Sequence, residues 1–300
     1  MIWPLENVPW QTALPAFVLE GVFYASLASD RIRARLEQLP PLLFAALLTV
    51  SAILPYCLAT LAFGTFRWQS LACISMLAAA VSFWYILLPK KPAADILLLI
   101  FMAAVWISRL FPQWYLSPYP RLYLPVLGQL MWFRTGLFAM LSLRRVKGVG
   151  FGFWPMTREW KIGVAHFVIF LPLAAILSWS IGFAGPRIPP LGWEKTSLLA
   201  VGTFFGILWV VALAEEFFFR GLLQQWLVAW TRSEWAGLLF ASLLFGLVHI
   251  FYRLFPNWKL AALAALAGVC YGLAFRRARS IRASMVTHAL VVTTWKIFFA

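Results

Sequence analysis

Charge is scarce in this chain, and acidic charge most of all. Only 12% of its 300 residues are charged, and 10 Asp and Glu stand against 25 Lys and Arg. A soluble domain of that length carries about a quarter charged residues. With 63% hydrophobic residues and a mean hydropathy of +0.85, too few polar side chains remain to cover a water-facing surface. A single soluble core is excluded, and lipid is the solvent for most of the chain. Cysteine is nearly missing as well: Cys57, Cys73 and Cys270 all lie inside apolar runs. An odd count without paired spacing excludes a disulfide framework, and no Cys/His pattern marks a structural zinc. Residues 1–7 lack a basic n-region, and no small-residue cleavage site follows the first apolar stretch. That stretch is expected to stay as a membrane helix. The net charge of +15 does not indicate nucleic acid, because the basic residues sit in short loops between apolar runs, where they act as topology signals.

What is abundant is apolar sequence in blocks. A spanning helix needs about 20 mostly apolar residues. Such segments lie near 11–29, 41–64, 68–88, 94–112, 122–142, 161–183, 197–224, 235–254, 259–275 and 283–299. The predicted fold is all-α, a polytopic transmembrane helix bundle of eight to ten spans. The first is the weakest, since Glu20 interrupts it and Pro15 lies near its start. With the N-terminus outside, 16 of the 25 basic residues fall in inside loops, including Arg158, Lys161, Arg276, Arg277, Arg279 and Arg282. Seven fall outside, including Arg187 and Arg253. That bias has the sign expected of an even number of spans. Lys147–Pro155 is too glycine-rich to be helical. It separates an N-terminal transmembrane region, 1–150, from a C-terminal region, 151–300, whose motif-bearing core is 197–300. The N-terminal region shows no notable intramembrane acid besides Glu20. There Arg134 needs a partner, for which Glu20 is favoured over a substrate carboxylate, and Arg109 is expected to snorkel to the interface. His166 reads as a helix–helix hydrogen bond.

Intramembrane polar residues concentrate in the C-terminal region. Glu215 and Glu216 are adjacent inside an apolar helix, where each ionisable group costs ~2.5–3.5 kcal/mol on insertion scales. Glu216 and Arg220 stand at i and i+4, acid first, so they can pair on one face. Glu215 points about 100° away and must find its partner on another helix. The candidates are His249 and His288, two of only three histidines in the chain. One carboxylate and two imidazoles in a dry cavity make a water-activating site, since burial pushes a carboxyl toward its neutral form, as suits proton transfer.

Three motifs in order resemble those of the CPBP family, intramembrane endopeptidases related to the type II CAAX prenyl protease. They are Glu215-Glu216-x-x-x-Arg220, Phe245-x-x-x-His249, and His288 behind Ser280-Ile-Arg-Ala-Ser-Met-Val-Thr. The pair Gly268-x-x-x-Gly272, where close helix packing is expected, and the basic turn after it also fit. The resemblance covers roughly residues 197–300. It implies that Glu215 acts with His249 to activate water, and that His288 helps stabilise the oxyanion. Glu216 and Arg220 would hold the helix and the base, with Phe245 in support. Metal use is left unknown. A divalent ion such as zinc is an open alternative, but one Glu and two His are few ligands for it, so a metal-free site is favoured. The family's last motif is His-x-x-x-Asn or Asp, and here the fourth position is Val292. Losing an oxyanion donor costs ~10²–10³ in rate.

The resulting expectation is an integral, multi-pass endopeptidase of the cell inner or plasma membrane. Its partners are the lipid bilayer and a membrane-anchored protein substrate, not nucleic acid. Cleavage near the substrate's C-terminus is expected, at a prenylated or lipid-anchored tail or a sorting tag. Two other readings stay open: a catalytically silent relative that binds or shields a partner, favoured by Val292, and a proton- or cation-coupled transporter.

Overall fold

The computed structural model describes residues 8–183, 185, 189, 192–252 and 254–299. Residues 1–7, Arg187 and Arg253 lie outside the described residues. The chain divides into two compact units, 1–146 and 147–300, so the glycine-rich stretch belongs to the second. Among the described residues there is no strand.

The first unit opens with α1 (Trp10–Ser26) and α2 (Asp30–Leu36), a pair bent by 86°. Ser29 caps α2 by accepting from the Ile32 N–H. Next come α3 (Pro41–Ala62), α4 (Trp68–Leu87), α5 (Pro92–Ile107), the short α6 (Phe111–Trp114) and α7 (Pro125–Leu143). Pro41, Pro92 and Pro125 begin their helices, where the missing N–H is not needed. Glu20 and Arg134 are both buried and doubly bonded. Nε donates to Oε1 at 2.9 Å and Nη2 to Oε2 at 3.2 Å, while Nη1 reaches the Ser51 hydroxyl at 2.8 Å. The pair that the sequence favoured for Arg134 is therefore present.

Two expectations for this unit need correction. Arg109 lies beyond the end of α5, in an exposed left-handed turn (φ 50°), so it needs no snorkelling from mid-helix. Asp95 is a second buried acid that the hydropathy pattern concealed. It accepts from Arg144 Nε and from the Tyr85 hydroxyl, each at 2.8 Å. The hydrogen bond that Arg144 donates to Asp95 pushes the arginine's pKa upward.

The second unit contains α8 (Thr157–Ser180), α9 (Trp193–Thr231), α10 (Glu234–Phe251), α11 (Trp258–Ala278) and α12 (Ile281–Phe298). Two connections are built alike. Arg232 (φ 54°) closes α9 and Ser233 caps α10; Arg279 (φ 56°) closes α11 and Ser280 caps α12. A left-handed residue followed by a capping hydroxyl reverses the chain in two residues. Gly148 and Gly150 take positive φ in the non-helical stretch before α8. Gly150 lies so close to Ser280 that an added Cβ would fall 2.5 Å from its Cα, and its carbonyl accepts from the Ser280 hydroxyl at 2.9 Å. The loop is thereby stitched to the start of α12. Gly268 and Gly246 bring α10 and α11 together: an added Cβ would meet Ser242 Cα at 3.0 Å and the Ala261 carbonyl at 2.6 Å. Helix α11 packs on α8, α10 and α12.

Among the described residues, seven helices are long and apolar enough to cross a membrane, or eight if the bent pair forms one span. The protein is an integral, multi-pass membrane protein, with a span count at or below the low end of the expected eight to ten. The expected segment 94–112 breaks at Ile107, leaving a 16-residue helix. The expected segment 283–299 is helical, but Thr287, His288 and Thr293 lower its hydropathy. All three are buried within the unit, so the polar side chains face protein rather than lipid. Exposed side chains on α8 and α10 are instead large and apolar, such as Val168, Ile176, Phe240 and Leu243.

Candidate active site

Helix α9 runs for 39 residues but is not uniform. Wide π-helical turns at Ile207–Ala212 and Phe217–Gln224 flank the four α-helical residues Leu213–Glu216. Such turns shift helix register and recur at functional sites. Here they bracket the Glu pair. Glu216 is fully buried, and its Oε1 takes two donors, Arg220 Nη1 at 3.0 Å and His288 Nδ1 at 2.8 Å. Arg220 spends a further hydrogen bond on the Gly268 carbonyl, Nη2 to O at 3.0 Å. Its guanidinium lies among three rings, 4.6 Å from the Phe245 centroid, 5.2 Å from Tyr271 and 5.7 Å from Phe219. Desolvating a charge is costly unless it is paired, and ring quadrupoles supply part of what water no longer does.

His288 stands at the centre. A carboxylate can only accept, so Nδ1 carries the proton in the bond to Glu216, and Nε2 faces Glu215 Oε2 at 3.9 Å. That separation exceeds a hydrogen bond. The imidazole stacks on Tyr271, with centroids 4.7 Å apart and planes 13° from parallel, and meets the edge of Phe245 at 5.9 Å. Glu215 is about one-third exposed (34%), yet its Oε2 is buried without a hydrogen-bond partner. Glu216 Oε2 and Arg220 Nε are likewise unpartnered.

The predicted residues thus converge unevenly. Glu215, Glu216, Arg220 and His288 form one cluster. His249 sits where α10 tightens into its final 3₁₀ turn, with Nδ1 at 2.7 Å from the Phe245 carbonyl and its ring 4.7 Å from the Phe245 ring. A carbonyl accepts only, so Nδ1 is the protonated nitrogen and Nε2 is left for other work. Among the described residues no hydrogen bond or ion pair joins His249 to Glu215. Phe245 touches both histidines, Tyr271 and Phe219 and forms the apolar wall between them. Val292 lies on α12, partly buried. Its neighbour Thr293 has a buried hydroxyl without a partner. His166 bonds not across helices but to the Ile162 carbonyl of its own helix, at 2.8 Å. Sequence reasoning missed Tyr271. Its signal was a bulky aromatic inside the pair Gly268 and Gly272, where close packing alone would favour small residues.

The donor set was also tested for a metal. Among the described residues, no group of three or more His, Cys, Asp or Glu is placed to hold an ion. Glu216 and both Nδ1 atoms are already engaged in other bonds. The Glu215 carboxylate and the two Nε2 atoms remain unengaged, but they do not form such a group in this arrangement.

Residues 196–294 match the family described as type II CAAX prenyl endopeptidase Rce1-like. The match begins in the first turn of α9, ends within α12 and includes every residue of the cluster. No curated protein and no solved structure matches the chain. Over that third of the chain the resemblance read from the motifs holds, and it supports intramembrane endopeptidase activity in general.

Proposed function

We propose that the protein cleaves a membrane-anchored protein near its C-terminus, with Glu215 as the group that takes a proton from the attacking water. The observation that carries this reading is the double use of Glu216 Oε1 by Arg220 and His288. It holds the His288 ring so that Nε2 faces a carboxylate oxygen with no other partner. Orientation of an imidazole by a buried carboxylate is the arrangement that sets tautomer and stabilises the imidazolium in hydrolases. Two carboxylates, Arg220 and a doubly protonated His288 sum to zero charge, so the cluster has a place for one mobile proton. Glu215 and His288 stand 3.9 Å apart, too far for a direct hydrogen bond, so they exchange it through the reacting water.

In the proposed cycle Glu215 accepts a proton as water attacks the peptide carbonyl. His249, whose Nε2 is unprotonated, accepts a hydrogen bond from the attacking water, while doubly protonated His288 donates through Nε2 to the oxyanion and then to the leaving amine. Glu215 returns its proton to His288. The proton ends on the new amine and hydroxide on the new carboxyl. Cleavage inside a membrane fits a centre formed within apolar helices, and a lipid-anchored or transmembrane C-terminal tail is the substrate class able to reach it.

A second reading is favoured by Val292. Without a polar side chain there, the oxyanion loses a donor, and the protein could bind such a tail without cutting it. The deciding experiment compares membrane-protein C-termini by mass spectrometry in cells carrying the intact protein or Glu215→Gln. Precursors that accumulate only with Glu215→Gln support proteolysis and identify the substrate. Identical termini, with both proteins equally abundant, reject proteolysis and leave the binding reading.

A further inference from the structure

On the face of the second unit where α8 and α12 begin and α9 and α11 end, the basic residues fall into two sets. Arg276 and Arg279 pair with Glu234, at 2.6 and 3.1 Å, and Arg282 pairs with Glu159 at 2.9 Å. The other Glu159 oxygen accepts from the Met156 N–H at 2.6 Å. Both acids are thereby engaged. Arg158, Lys161 and Arg277 have no carboxylate partner among the described residues. Arg158 only donates to the Arg277 backbone carbonyl, at 3.2 Å.

These three unpaired cations line one open cavity of about 540 Å³, together with Thr157 and Ile162. No acid lines it. Three like charges around a common space repel one another and attract an anion. Directly along α8 from Lys161, at helical spacing, come Val164, Val168 and Leu171, all exposed (41%, 58% and 38%). A cation followed by an apolar lipid-facing stripe matches a headgroup with its acyl chains. A free anion would need only the first part. Trp154 and Met156, exposed and just ahead of Thr157 in the chain, have the amphipathic or apolar character common at the membrane interface.

We propose that this cavity binds the phosphate of an anionic membrane lipid, bridging the ends of α8 and α11. The inference is independent of the proteolytic reading, since none of its residues belongs to the Glu215–His288 cluster. Basic pockets between helices on the positively biased side are suited to such headgroups, and each Lys or Arg contributes about fivefold in affinity.

The test titrates the delipidated full chain in a neutral detergent with phosphatidylglycerol or phosphatidylcholine and reads bound lipid by native mass spectrometry. The intact protein should prefer phosphatidylglycerol. Lys161→Gln with Arg277→Gln should lose about 25-fold of that affinity, whereas Lys90→Gln with Lys91→Gln, an equal charge loss in the first unit, should lose none. Equal binding by the intact and Lys161/Arg277 proteins, or equal loss in both double variants, overturns the proposal. Should the Lys161/Arg277 protein fail to fold, Lys161→Gln alone is read, with about fivefold expected and no change refuting. A parallel arm follows acylation of Lys161 by an amine-reactive probe. Protection by phosphatidylglycerol and not by inorganic phosphate supports a lipid site; equal protection by inorganic phosphate overturns the lipid assignment.

Discussion

In the first unit Arg134 meets Glu20 through two hydrogen bonds, and two more go to the Ser51 hydroxyl and carbonyl. Both carboxylate oxygens are used. In the second unit Arg220 meets Glu216 through one bond, while Glu216 Oε2, Arg220 Nε and the adjacent Glu215 Oε2 stay without partners. Both pairs are buried to within 1% of complete, so burial does not distinguish them. Saturation does. A satisfied buried pair holds helices in register, whereas unspent hydrogen-bonding capacity beside a positioned imidazole is what proton transfer needs.

The comparison can be broken most directly at its acids. Glu215→Gln should lower cleavage about 10²–10⁴-fold, measured on membranes with the accumulated precursor as substrate, with the folded yield unchanged. Glu20→Gln should do the reverse. Removing one member of a buried ion pair costs about 3–5 kcal/mol, so unfolding in detergent shifts while activity per folded molecule persists. If Glu20→Gln instead silences a stably folded protein, the first pair is not purely structural and the contrast fails.

Val292→Asn sharpens the second half of the comparison. Restoring a polar donor one turn beyond His288 should raise cleavage by as much as ~10²–10³; no gain would show that His288 already suffices. The smallest effect is expected at Tyr271. Tyr271→Phe keeps the stack on His288 and should be close to neutral. Tyr271→Leu should cost about 0.5–1.5 kcal/mol, read as a few-fold loss of kcat with little change in KM.

The site was partly legible beforehand because one of its pairs is local. Glu216 and Arg220 are one helical turn apart, and any helix there must bring them together. The partner of Glu215 was not legible in that way. The sequence offered His249 and His288 alike, and the ion-pair contact that the fold makes is with His288. Asp95 was hidden for a related reason: one acid in a strongly apolar run looks like the start of a helix until Tyr85 and Arg144 arrive from elsewhere in the chain.

By itself the sequence determined that the chain is helical and lives in lipid, where the breaks between helices fall to within a few residues, and that one adjacent Glu pair and two of the three histidines lie in its last third. Those are properties of short windows: apolar run length, capping residues and i, i+4 spacing. Only the tertiary structure decided which arginines are neutralised and which line an open cavity. It also decided that Tyr271 lies against His288, and that two carboxylates share one imidazole. Each depends on how a helix is rotated about its axis and on what packs against it, and close-packed neighbours far away in sequence set that rotation.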